Sequence, residues 1–137
     1  MNLESVAGEL AAALRTIDGL NVPEWGVQRV HPPFALVPMP ERVTYDNTYQ
    51  RGRDVIEDWP VLVLVANPAK PEARRAVTAY ADGSGPKSVK QAIESHTYTA
   101  LTAVRVASVD FDVVSYAGPD YLAAMFHLEI SGEGARP

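Results

Sequence analysis

The chain has 137 residues, 47% of them hydrophobic and 21% charged, with a formal net charge of −5 and no cysteine. That length argues for one domain, residues 1–137, large enough to bury a core without staples. The composition excludes a disulfide framework and any thiolate-held metal, and the acidic balance argues against a basic surface built to grip nucleic acid.

No apolar run approaches the roughly 20 residues of a membrane helix, so no membrane partner is expected. "MNLESVAGEL" lacks a basic start and an unbroken apolar stretch, so no signal peptide is expected there. The absence of cysteine fits a reducing compartment.

Leu3, Val6, Leu10, Leu14 and Ile17 recur at three- and four-residue steps. This is the stripe of an amphipathic helix, and it predicts a helix over 3–18. Asn2 is placed to cap its start and Gly19 to end it in the left-handed conformation. Pro23, Pro32, Pro33, Pro38 and Pro40 then forbid a helix. "FALV", Phe34 to Val37, reads as a short strand at an edge.

In "RVTYDNTYQRGRDVIEDW" a hairpin is expected, with "DNTYQRG" as its turn. "PVLVLVANP" holds the apolar run Val61 to Val65 between Pro60 and Pro68. A continuous run of that kind predicts a central strand covered on both faces. Pro71 suits a first helical turn, and Ala73, Ala76, Val77 and Tyr80 follow at helical spacing. Val89, Ala92 and Ile93 predict a second short helix.

Val104 and Val106 share one strand face, as do Val109, Phe111 and Val113. The odd step between the two sets predicts a bulge near Ala107–Ser108. Leu122, Ala124, Phe126, Leu128 and Ile130 alternate as a strand should. "YAGPDY" is the turn that makes these two runs a hairpin, and "GEGARP" is expected to fray. The whole predicts an α+β fold. Its sheet is mostly antiparallel or mixed, with an N-terminal helix and a central helix pair packed on it.

"ADGSGPKSVKQAIE" invites a phosphate-loop reading, which its residues refuse. Pro86 stands where a glycine N–H is needed, Ala81 where the first glycine belongs, and the loop follows a helix. A helix–turn–helix joint explains it better. Gly83 or Gly85 ends one helix, and Ser88 and Gln91 form a capping box for the next. A single Lys90, balanced by Glu94, is too little charge for a DNA-reading helix.

His31, His96 and His127 show no metal-ligand spacing. His127 falls opposite Phe126 and Leu128 and is expected at the surface or rim. Asp110 and Asp112 share a strand face, but no His, Lys or nucleophile is evident beside them. No nucleophile-elbow motif is present. No catalytic, cofactor or metal residues are assigned. Tyr45, Tyr49, Arg51 and Arg53 crowd one predicted loop, and tyrosine and arginine are enriched at protein interfaces. Lys87, at the helix joint, joins them as an interface candidate.

The order of these segments resembles that of the tail terminator (tail completion) proteins of long-tailed bacteriophages, especially those infecting actinobacteria. The segments are the N-terminal helix ending in "GLNVP", then "PPFALVPMP", "YDNTYQRGRD", "WPVLVLVA", "ARRAVTAYADGSGPKSVKQAIE" and "YAGPDYLAAMFHLEISG". The resemblance covers nearly the whole chain and rests on overall pattern rather than on an invariant signature.

It implies a non-enzymatic, α+β virion protein, made in the host cytoplasm and placed at the tail–neck junction. Six copies would form a ring on the tail tube, stop its polymerisation and meet head-completion proteins. DNA would pass through the lumen without sequence-specific contacts, and no cofactor is implied. Asp54, Glu57, Asp58, Asp110 and Asp112 are the candidates for an acidic lumen. The alternatives are another head–tail connector and a small-molecule-binding α+β domain.

Overall fold

The computed structural model describes residues 1–23, 31–45 and 52–133. The predicted turn "DNTYQRG", with Tyr49 and Arg51, lies outside them apart from Gly52, as do residues 134–137. The elements run α1 (Leu3–Arg15), β1 (Phe34–Leu36), β2 (Arg53–Ala66), α2 (Pro71–Ala81), α3 (Val89–Ser95), β3 (Ala103–Ser115) and β4 (Asp120–Glu133). The strands form one sheet in the order β1-β2-β4-β3, every neighbouring pair antiparallel. The fold is α+β.

The helices share one face of the sheet. Val6, Leu10 and Leu14 of α1, Ala73, Val77 and Tyr80 of α2, and Val89 and Ile93 of α3 form one core with Ile56, Trp59, Val61, Val63, Phe126, Leu128 and Ile130 of the strands. Among the described residues, the other face carries a small apolar cluster, Phe34, Leu36, Leu64 and Ala123, ringed by Tyr116 and Tyr121. β2 is therefore covered on both sides along its central stretch.

Local chemistry explains the ends. The Asn2 side chain accepts from Ser5 N–H at 3.1 Å and caps α1. α1 stops at Arg15, three residues short of the expected end, because 14–20 tighten into three-residue turns: Ile17 N–H donates to Leu14 and Leu20 N–H to Ile17. Gly19 follows at φ +81°, the left-handed residue the sequence required. β1 is a three-residue edge strand. Its outer side is occupied by Asn21, which accepts from Ala35 N–H at 2.8 Å.

Three details of the sequence reading change. Pro60 stands inside β2, opposite His127, just past a bulge between Ile56 and Trp59, where the ladder is already broken. Among the described residues, the expected hairpin before β2 shows one bridge, Thr44 with Val55, joined by hydrogen bonds of 2.8 and 2.9 Å. The pairing of β4 continues to Glu133, so Gly132 and Glu133 are ordered strand.

The helix joint also differs in its caps. α2 ends at Asp82 in an extended conformation, and only Gly85 (φ +112°) is left-handed. Ser88 Oγ accepts from Gln91 N–H at 3.1 Å and donates to the Asp82 carbonyl at 2.6 Å. The Gln91 side chain reaches Gly85 N–H (2.9 Å) instead of closing a capping box on Ser88. One buried hydroxyl thus ties the end of α2 to the start of α3.

Candidate functional site

β3 carries the bulge predicted near Ala107–Ser108, seen as a register shift between Val106 and Ser108. The bulge keeps Val104, Val106, Val109, Phe111 and Val113 on the helix-side face. The helices do not reach the far end of β3, however. Phe111 is 52% and Val113 49% exposed. Asp110 and Asp112 alternate onto the helix-free face.

On that face His127 of β4 sits between two strands. Its Nδ1 stands 2.8 Å from Asp58 Oδ1 of β2, and its Nε2 stands 2.8 Å from Asp110 Oδ2 of β3. A neutral imidazole has one N–H, whereas two carboxylates ask for two, so the site favours the imidazolium. The hydrogen bond to Asp58 is the largest influence raising the His127 pKa above its ordinary value, with Asp110 adding to it. Beside them Arg105 pairs with Glu129 at 3.0 Å.

This arrangement corrects the expectation that Asp110 has no histidine near it. With both ring nitrogens engaged by carboxylates, the imidazole links β2, β4 and β3 across the helix-free face. Among the described residues, no group of three or more His, Asp or Glu side chains is arranged to hold a metal ion. The hairpin register could have revealed half of the site: with "YAGPDY" as the turn, His127 falls beside Ser108 and hence diagonal to Asp110. Asp58 could not be found that way, since its approach depends on the distant β2–β4 pairing.

The five acids separate. Asp58, Asp110 and Asp112 share the helix-free face, and Glu57 lies exposed in the β2 bulge beside Asp58. Glu57 and Asp58 line an open depression of about 320 Å³ with Glu41, Arg42 and Thr44. Asp54 does not belong with them. It is 4% exposed, on the helix side of the sheet, with its carboxylate 3.5 Å from the Met1 amino group. A side chain buried in that way cannot line a lumen.

The interface candidates separate too. Tyr45 is 69% exposed and Arg53 is exposed at the start of β2. Lys87 is only half-exposed and is already committed: its Nζ donates to the Asp18 carbonyl just past the C-terminal end of α1. Lys87 therefore ties the helix joint to α1. A cation there also suits the carbonyl-rich end of a helix.

No family model matches the chain, and no curated protein matches it in sequence. No helix among the described residues is long and apolar enough to cross a membrane.

Proposed function

We propose that the chain is a structural virion protein that caps the end of a phage tail tube as a ring, stops tube polymerisation and joins the tail to neck proteins. The observation that carries this reading is the division of the sheet. Helices cover one face, while Asp58, Asp110 and Asp112 stand on the other. A sheet of this kind suits the wall of a channel, with its helices outward and its acids inward. Six copies would carry 6 × −5 = −30 formal charges. An acidic lumen repels the phosphate backbone and lets DNA slide.

The proposed role is structural, without a catalytic residue or cofactor, and its place is the tail–neck junction. A ring needs two different patches on each subunit. Two edges supply candidates: the one that carries Tyr45 and Arg53, and the far half of β3 at the other.

The test is assembly. The purified chain, mixed with tail tubes, is expected to bind their ends as a ring, and a chain that stays monomeric in that mixture refutes the reading. The variant Arg51→Glu/Arg53→Glu is expected to fold, by circular dichroism, yet to give tails of uncontrolled length. Tails of normal length joined to heads in that variant would remove this edge from the interface. The position of the chain in a virion map separates a tail-end ring from another connector of the neck.

A further inference from the structure

We infer that β3 of one copy adds as a fifth strand to the sheet of the next, pairing antiparallel with residues 42–45. This contact rests on the ring reading above, and it names the residues that make it.

The sheet has unequal edges. At β1, Asn21 covers the outer side. At β3 the near half is guarded, because Val106 N–H turns away from β4 and donates to Glu94 at 2.9 Å. By alternation across the bulge, Val109, Phe111 and Val113 also turn their backbone groups outward. Val113 N–H is met only by the neighbouring Asp112 side chain, at 2.8 Å. The open stretch therefore begins at Val109. Pairing with its own copy is disfavoured. The antiparallel registers centred on 110, 111 or 112 bring Asp110 or Asp112 against another aspartate.

On the opposite side, Thr44 spends its N–H and C=O on Val55. By the same alternation Val43 and Tyr45 turn theirs outward. One register then satisfies every requirement. Tyr45 lies opposite Val109 of the neighbouring copy, and Val43 opposite Phe111. These are the hydrogen-bonded pairs, apolar on apolar. Between them Thr44 faces Asp110 and Arg42 faces Asp112, so the one cation of the segment meets an acid.

Direction and facing agree as well. The 42–45 segment runs antiparallel to β2, β2 to β4, and β4 to β3. Thr44, Val55, Ser131 and Ala103 lie in one row of the sheet, whereas Asp110 lies opposite Met125, so this register staggers neighbouring copies along the strands. A neighbour related by rotation about an axis inclined to the strands, as in a closed barrel, supplies that stagger and presents β3 antiparallel to this segment without being turned over. Thr44 faces the same side as Val55, away from the helices, and so do Asp110 and Asp112. The joined sheets keep all helices on one side and the His127 face on the other. The contact is head-to-tail, as a closed ring requires, and uses strand addition to an open edge.

Cysteine cross-linking tests it, since the chain has no cysteine of its own. The variant Arg42→Cys/Asp112→Cys, oxidised after mixing with tail tubes, is expected to give covalent multimers. Either single variant is expected to give none, because each position faces the other and not itself. In the second arm, Asp112→Arg is expected to abolish assembly in sedimentation while leaving the thermal melt unchanged. Adding Arg42→Asp in the same chain is expected to restore it. Assemblies that form without the cross-link, or that ignore the charge exchange, overturn this contact while leaving a ring in place. Chains that do not assemble at all overturn both the contact and the ring.

Discussion

His127 Nε2 stands 2.8 Å from Asp110 Oδ2 across the β3–β4 pair, and the same ring reaches Asp58 on β2. One side chain therefore pins three strands on the face that lacks helices. Its raised pKa makes this pinning depend on pH. The stabilisation is full below the ordinary imidazole pKa of about 6.5 and is lost as pH rises through the higher folded-state value. Because both aspartates are solvent-exposed, its size is expected to be at most about 1 kcal/mol. Denaturant melts of the wild-type chain and of His127→Gln should converge as pH rises. Curves that stay parallel across that range would show that the two ion pairs contribute nothing.

Glu9 follows the opposite sign. Its carboxylate accepts from the Thr99 hydroxyl at 2.6 Å, from Thr99 N–H at 2.9 Å and from Ala100 N–H at 3.0 Å. The Thr99 hydroxyl is the main influence lowering its pKa, with both backbone N–H groups assisting. Stability from this contact is present above the ordinary glutamate pKa of about 4.3 and is lost as pH falls through the lowered value. Glu9→Gln is expected to cost about 1–2 kcal/mol at neutral pH. Urea unfolding at neutral and acid pH checks this, and a gap that does not shrink in acid refutes it.

Ser88→Ala removes two bonds at once, the cap on Gln91 N–H and the bond to the Asp82 carbonyl. The residue is 1% exposed, so water does not replace what is lost. A cost of about 2 kcal/mol is expected, the upper end for a helix cap. Thermal unfolding measures it. A cost close to zero would mean that the α2–α3 joint does not depend on this hydroxyl.

Trp59→Phe keeps most of the buried ring but loses the Nε1–H bond to the Pro38 carbonyl at 2.7 Å. With the Thr44–Val55 pair, that bond ties the Pro38–Tyr45 stretch to β2. The variant is expected to lose about 1–2 kcal/mol and, in the tail-tube mixture, to assemble less well. Unimpaired assembly would show that the stretch is held in place by other contacts.

The periodic parts of the fold were legible in the sequence. The α1 stripe, the Val61–Val65 run, the proline at the start of α2 and the β3 bulge all follow from local spacing, because one buried face imposes one period. What local spacing does not carry is partnership across the sheet. Asp54 and Asp58 lie four residues apart in one polar stretch and look alike there. The bulge between Ile56 and Trp59 sends one under the helices and the other onto the open face. Lys87 looked like a free cation for the same reason, since the Asp18 carbonyl that holds it lies 69 positions earlier. Phe111 and Val113 keep the apolar period of their strand yet stand about half exposed, because no described helix extends over them.

The β3 bulge also sets where this strand can change length. Ala107 and Ser108 together oppose His127, so the strand holds one residue more than its pairing needs. Deleting Ala107 would straighten the strand and leave every side chain on its present face. Deleting one residue anywhere from 109 to 113 would instead turn part of the strand over, sending acids toward the helices and apolar groups outward. Natural length variation in β3 should therefore collect at this one position, and a deletion scan through the strand should find it the one tolerated gap.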